Sequence, residues 1–254
     1  MSKFKSLIAV AVLFAGLASA TAGTLADVSI IDRSTGERLQ TWRHEGRLYV
    51  AGRPGNRYAV EMKNRSGGRL LAVLSVDGVN AISGETAAGN QTGYVLSAWE
   101  QAEILGWRKS MDDVAAFYFT RLPDSYAART GRPENVGVIG VAVYREFVEP
   151  PPASPLPPMP WLGQAPSAAK SAEAMRESQA GHARSEDRLG TGHGERLASS
   201  TQYTDFRRAS DQPAEVITLY YDSKANLIAR GIIPGRYAAE PRPFPGGFVP
   251  DPNG

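Results

Sequence analysis

Residues 70–80 read Leu70-Leu71-Ala72-Val73-Leu74-Ser75-Val76-Asp77-Gly78-Val79-Asn80. The run before Asp77 is nearly all apolar and short for a helix, so it predicts a strand covered on both faces. Asp77-Gly78 is a strong two-residue hairpin signal, because both central residues of the favoured turn need positive φ. Upstream lie Leu48-Tyr49-Val50, a turn at Pro54-Gly55-Asn56, the alternating Tyr58-Ala59-Val60-Glu61-Met62, and a second turn at Asn64-Arg65-Ser66-Gly67-Gly68. Downstream come Gly93-Tyr94-Val95-Leu96, Ala116-Phe117-Tyr118-Phe119-Thr120 and the long segment Val136 to Tyr144. Gly137 and Gly140 inside that last segment predict a bulge or a close backbone approach. Ala98 to Ile104 and Met111 to Ala116 read as short helical turns, the second capped by Ser110. Short strands punctuated by Gly and Asn turns make residues 24–147 an all-β antiparallel β-sandwich, with a barrel as the alternative closure.

Both ends of the chain differ from this middle. Met1–Ala20 carries Lys3 and Lys5, then an uncharged apolar run, then Ala18-Ser19-Ala20. That order predicts a signal peptide cut after Ala20, or alternatively after Ala22. An uncleaved anchor would need about 20 apolar residues, more than the run supplies. No later segment resembles it, so the mature chain is expected not to span a membrane and to be periplasmic or secreted. The whole chain has 28 basic and 26 acidic residues; losing Lys3 and Lys5 leaves 26 of each and a formal charge of zero. The charge balance therefore gives no reason to expect nucleic-acid binding, which needs a basic face.

Eight of the 18 prolines fall between Pro150 and Pro166, and residues 148–188 read as a disordered Pro/Ala-rich linker. Beyond it, residues 189–233 regain apolar pattern. Val216 to Tyr221 and Leu227 to Ile233 flank Asp222-Ser223-Lys224-Ala225-Asn226 and predict a β-hairpin. A 45-residue segment in a chain with no Cys buries too little surface to fold alone. It is expected to dock back onto the sandwich across the linker, with self-association through the hairpin as the competing outcome. Residues 234–254, with six prolines, read as a disordered tail. Gly190-Thr191-Gly192-His193-Gly194-Glu195 reads as a flexible lead-in, because a phosphate loop should follow a strand and open a helix. The sharper alternative is a ligand loop using His193 and Glu195.

Candidate binding residues come from exposed-looking aromatics beside cations and from polar turns. Trp107 and Arg108 end a short stretch that begins at Trp99; a Trp beside an Arg suits a sugar or a partner, while the plainer reading makes Trp107 a core or rim residue of the sandwich. Tyr126 and Arg129 sit in the polar loop Ser125 to Gly131, between two strong strands. Asp77 and Asn80, with Glu85, place oxygen ligands near one turn, yet the spacing of a calcium loop is absent and no metal site is predicted. Trp161, in Pro158-Met159-Pro160-Trp161-Leu162, is a candidate partner-docking residue, or a clip onto its own domain. With no Cys and three His, thiol chemistry is excluded and a His-based triad has little to draw on. No nucleophile elbow, metalloprotease helix or Walker loop occurs, and no cofactor is expected.

Leu74-Ser75-Val76-Asp77-Gly78-Val79-Asn80, Gly106-Trp107-Arg108-Lys109-Ser110, Phe117-Tyr118-Phe119-Thr120 and Ser125-Tyr126-Ala127-Ala128-Arg129 resemble stretches of a group of exported Gram-negative bacterial proteins without assigned function. The resemblance covers roughly residues 45–147 and implies export, but it brings no activity with it.

Together these features predict a non-enzymatic exported binding or interaction protein of the periplasm or envelope, its partner an envelope protein or a glycan. Two alternatives remain. One is an Asp/Glu-dependent hydrolase of carbohydrate or cell wall, whose carboxylate pair is defined by space rather than by motif. The other is an assembly subunit associating through the C-terminal hairpin.

Overall fold

Asp77 and Gly78 adopt φ of 53° and 73° and set Val76 opposite Val79, so the Asp-Gly pair closes a tight two-residue hairpin. The computed structural model describes residues 24–149 and 188–235; the predicted leader, most of the proline-rich linker with Trp161, and the tail from residue 236 lie outside the described residues. The strands of the first segment are β1 (Ala26–Asp32), β2 (Thr41–His44), β3 (Arg47–Gly52), β4 (Tyr58–Asn64), β5 (Leu70–Val76), β6 (Val79–Asn80), β7 (Tyr94–Leu96), β8 (Gln101–Ile104), β9 (Gly106–Arg108), β10 (Asp113–Arg121) and β11 (Val138–Arg145). A short helix, α1 (Tyr126–Arg129), precedes β11. The second segment adds β12 (Leu189–Ala198), β13 (Glu215–Ser223) and helix α2 (Lys224–Ala229).

One layer of the sandwich is a seven-stranded sheet in the order β2-β3-β13-β11-β5-β6, with β7 also paired to β5. The facing layer comprises two three-stranded sheets, β1-β4-β8 and β12-β10-β9. Leu70, Leu74 and Val76 of β5 enter the main core, where Tyr58, Trp107, Phe117, Phe119, Ile139 and Leu219 also lie. Leu71 and Val73, on the other face, form a separate cluster with Tyr144 and the partly buried Phe206. The segment after β12 thus straps the outside of β5. Arg69 ties the strap down by donating to Thr204 Oγ1 and the Asp205 carbonyl. The run 70–76 is covered on both faces, as its lack of alternation requires.

The C-terminal segment docks, and it does so in the interior of the sheet. β13 lies between β11, to which it is antiparallel, and β3, to which it is parallel. Its second arm is not the expected strand. Ser223 Oγ accepts from Asn226 N at 3.2 Å and starts α2. Gly231, at φ 70°, ends it: Gly231 N donates to Ile228 O and Ile232 N to Leu227 O. This is a Schellman closure, and it folds Ile232 and Ile233 back beside Leu227 and Tyr49. The run Leu227 to Ile233 satisfies a helix and its cap as well as a strand.

Three further expectations change. Gly190 to Glu195 is not a loop but part of β12, paired along β10 with one register slip between Ala115 and Phe117. A Cβ on Gly192 would collide with the Tyr118 ring, and one on Gly190 would come within 2.7 Å of Ser125 Cβ and Val136 Cγ1. The glycines are what let this strand lie flat between its neighbours. Ala98 to Ile104 ends in strand β8, not a helical turn. Ser110 does accept from Asp112 N and Asp113 N, but the chain then enters β10, so the capping side chain closes a turn instead.

Because Leu227 is fully buried while Val216 is 62% exposed, Leu227→Ala should destabilise the whole protein by about 3 kcal/mol in urea denaturation, and Val216→Ala by under about 0.5 kcal/mol. Equal small effects would mean that the terminal helix is an appendage.

Candidate functional site

Two of the sequence candidates prove to be scaffold. Asp77 is completely buried. Its Oδ1 accepts from Gly137 N at 3.0 Å and from the Tyr221 hydroxyl at 2.6 Å, and its Oδ2 accepts from Thr191 N at 2.8 Å. Asp77 N in turn donates to Val138 O. The Thr191 hydroxyl lies 2.6 Å from both the Tyr221 and the Tyr58 hydroxyls. A single carboxyl therefore joins the β5–β6 turn, the approach to β11, and strands β12 and β13. Burial pushes its pKa up to about 6, held from rising further by the Tyr221, Thr191 and Gly137 donors. Burial and the nearby Asp77 charge raise the Tyr58 and Tyr221 phenols well above their ordinary value. These carboxylate oxygens are committed, which rules Asp77 out as a calcium ligand. Asn80 is committed too: Oδ1 accepts from Ile82 N and Ser83 N, and Nδ2 donates to Gln91 Oε1 and Thr92 O.

The aromatic and cationic candidates divide. Trp107 is a core residue, 1% exposed. Arg108 is a clamp whose guanidinium bonds Ser199 O and Met111 O, holding the chain beyond β12 against the β9–β10 turn. Trp99 remains 64% exposed, at φ 63° in the turn ahead of β8. Tyr126 does meet other candidates: its ring centroid is 4.9 Å from Trp107 and 5.2 Å from His193. Lys109 Nζ stands 5.9 Å from the Tyr126 ring centre. Burial lowers the His193 pKa, and the charges of Lys109 and Arg129 lower it further. Trp107, Tyr126, Arg129 and His193 thus share one end of the sandwich, with His193 neutral at pH 7.

The residues that line an accessible groove were missed, apart from Glu195. The groove, about 570 Å³, lies on the outer face of the β10–β12 pair. Phe117 and Phe119 point into the core, so the intervening Tyr118 points out. Its ring lies over Gly192 and Gly194, which lack side chains to displace it. Arg57 faces it from the start of β4, with Nε 2.8 Å from Glu195 Oε1. Arg33 and Ser34 come from the turn after β1, with Gly55 and Leu197 completing the lining. Asp32 fixes these turns: its carboxylate accepts from Ser34 N at 2.8 Å and from Asn56 Nδ2 at 2.6 Å. Burial raises the Asp32 pKa, but those bonds outweigh it and the net shift is downward. The alternative of a ligand loop using both His193 and Glu195 does not form, since His193 joins Trp107 and Tyr126 while Glu195 binds Arg57. The legible signal was the alternation at 117–119, which singles out Tyr118 as the outward aromatic.

The groove's one carboxylate, Glu195, is paired with Arg57, and its lining contains no His, Cys or Lys. Among the described residues there is no cluster of three or more His, Cys, Asp or Glu placed to hold a metal ion. No protein-family model, curated protein or solved structure matches this chain.

Folding strengthens proton binding at Asp77 relative to the ordinary value of 3.8, so its ionisation removes stability as pH climbs from about 4 to about 6, with no further change above. Tyr221→Phe should accordingly cost about 2 kcal/mol at pH 7.5, where a charge-assisted bond is lost, and about 1 kcal/mol at pH 4.5. Urea denaturation at the two pH values reads the difference; equal losses would show that the carboxyl does not titrate between them.

Proposed function

We propose that this protein is a non-enzymatic binding protein of the periplasm or cell envelope. The groove over Tyr118 carries the reading: it is open, it sits on a rigid two-layer scaffold, and its polar groups suit recognition rather than bond cleavage. A carboxylate-dependent glycosidase needs two carboxyl groups roughly 5–10 Å apart, whereas this groove is lined by Glu195 alone, already neutralised by Arg57. Assembly through the C-terminal ribbon is disfavoured as well, because β13 is hydrogen-bonded on both edges and α2 packs on β3. Export rests on the Met1–Ala20 pattern and on the resemblance to exported proteins; the mature chain would begin at Thr21, or at Gly23 for the later cut.

Two measurements test this. Mass analysis of the protein recovered from an osmotic-shock fraction should give a chain starting at Thr21 or Gly23; a cell-associated chain that keeps Lys3 contradicts export. Amide NMR of the mature chain, titrated with neutral glycans, acidic glycans and envelope peptides, should show shifts confined to the neighbourhood of Arg33, Arg57, Tyr118 and Gly194, without product formation. Cleavage of any component, or silence of those amides to the whole panel, contradicts the reading.

A further inference from the structure

We infer that the groove is a subsite for a carboxylate-bearing sugar, a hexuronate unit of an acidic glycan, with Arg33 holding the carboxylate and Tyr118 stacking on the ring. This rests on the groove-binding reading above. Arg57 is already paired with Glu195, but the Arg33 side chain is exposed and has no hydrogen bond or ion pair among the described residues. The lining thus carries one uncompensated positive charge. A guanidinium matches a carboxylate through two parallel N–H···O bonds. One spare charge suits a monoanion, while a phosphate monoester would call for more.

Shape and surface chemistry narrow the class further. A volume of about 570 Å³ falls in the range of small-ligand clefts and accommodates one or two sugar rings, not a protein partner. Tyr118 offers an aromatic surface where Gly55 and Gly194 leave space around it. The C–H face of a pyranose packs on such a ring, and the Tyr118 and Ser34 hydroxyls lie at the same groove to meet sugar hydroxyls. The Arg57–Glu195 pair adds both a donor and an acceptor beside Tyr118.

The test titrates the mature full-length protein with tri-galacturonate, with the neutral galactose trimer, and with a sulfated galactose trimer, by calorimetry and amide NMR. Tri-galacturonate should bind about tenfold more tightly than either of the others, with shifts at Arg33, Arg57, Tyr118 and Gly194. Arg33→Ala should weaken the uronate about tenfold and leave the neutral trimer unchanged; Arg33 is exposed, so the fold tolerates the change. Glu195→Gln should strengthen uronate binding a few-fold by removing a competing negative charge. Equal binding of the neutral or sulfated trimer, or an unaffected Arg33→Ala variant, would overturn the uronate assignment and leave groove binding standing. If only the envelope peptides of the panel above shift the groove amides, the sugar class is overturned; silence to the three trimers and to those peptides overturns both readings.

Discussion

The Asp77 carboxylate is the constraint on which the rest of the structure depends. A buried charge without partners is prohibitively unfavourable, so each oxygen must find donors. The donors come from Gly137, Thr191 and Tyr221, on three segments far apart in sequence. Two of these belong to the stretch beyond the proline-rich region. The residue that turns β5 into β6 therefore also fixes where β12 and β13 must lie. Around it the hydroxyls of Tyr221, Thr191 and Tyr58 form a continuous chain. Such a chain can reverse its donor sense when the carboxyl gains a proton, which explains how one site serves both protonation states. The Tyr58, Phe117, Phe119 and Tyr221 rings pack against one another and keep water from the site.

The position of β12 decides the functional surface. Its glycines let the strand run beneath Tyr118 and pack closely against Ser125 and Val136. The register slip near Gly194 and Glu195 re-aims the strand just where Arg57 approaches from the turn after β3. As a result His193 joins Trp107 and Tyr126, while Glu195 borders the groove. The groove exists because a small-residue strand passes under an aromatic one, and its charge is set by arginines from the β1 and β3 turns.

Much of this was written locally. The Asp77-Gly78 turn specifies one backbone, the unbroken apolar run at 70–76 a strand covered on both faces, and the alternation at 58–62 the face that enters the core. Docking of the C-terminal segment followed from its size and the lack of cysteine, although its place inside the sheet did not. What stayed illegible depends on contacts remote in sequence. Leu227 to Ile233 is apolar at both periods, and the Ser223 and Gly231 caps decide for the helix. A glycine-rich strand resembles a loop until Tyr118 is seen to need the space. Asp77 looks like an ordinary turn residue, because the donors that make it a hub lie 60 to 144 positions away. Arg108 looked ready for a ligand but is taken up by Ser199, while Trp107 takes the core place that was its plainer reading.

The most direct measurement is hydrogen exchange, followed by mass spectrometry, on the mature protein and its Asp77→Asn variant at pH 7. An amide at this position would turn an N–H group toward a backbone donor at Gly137 or Thr191. The account predicts a joint loss of protection in β5, β11, β12 and β13. Loss confined to residues 77–80, with β12 and β13 as protected as before, would contradict it.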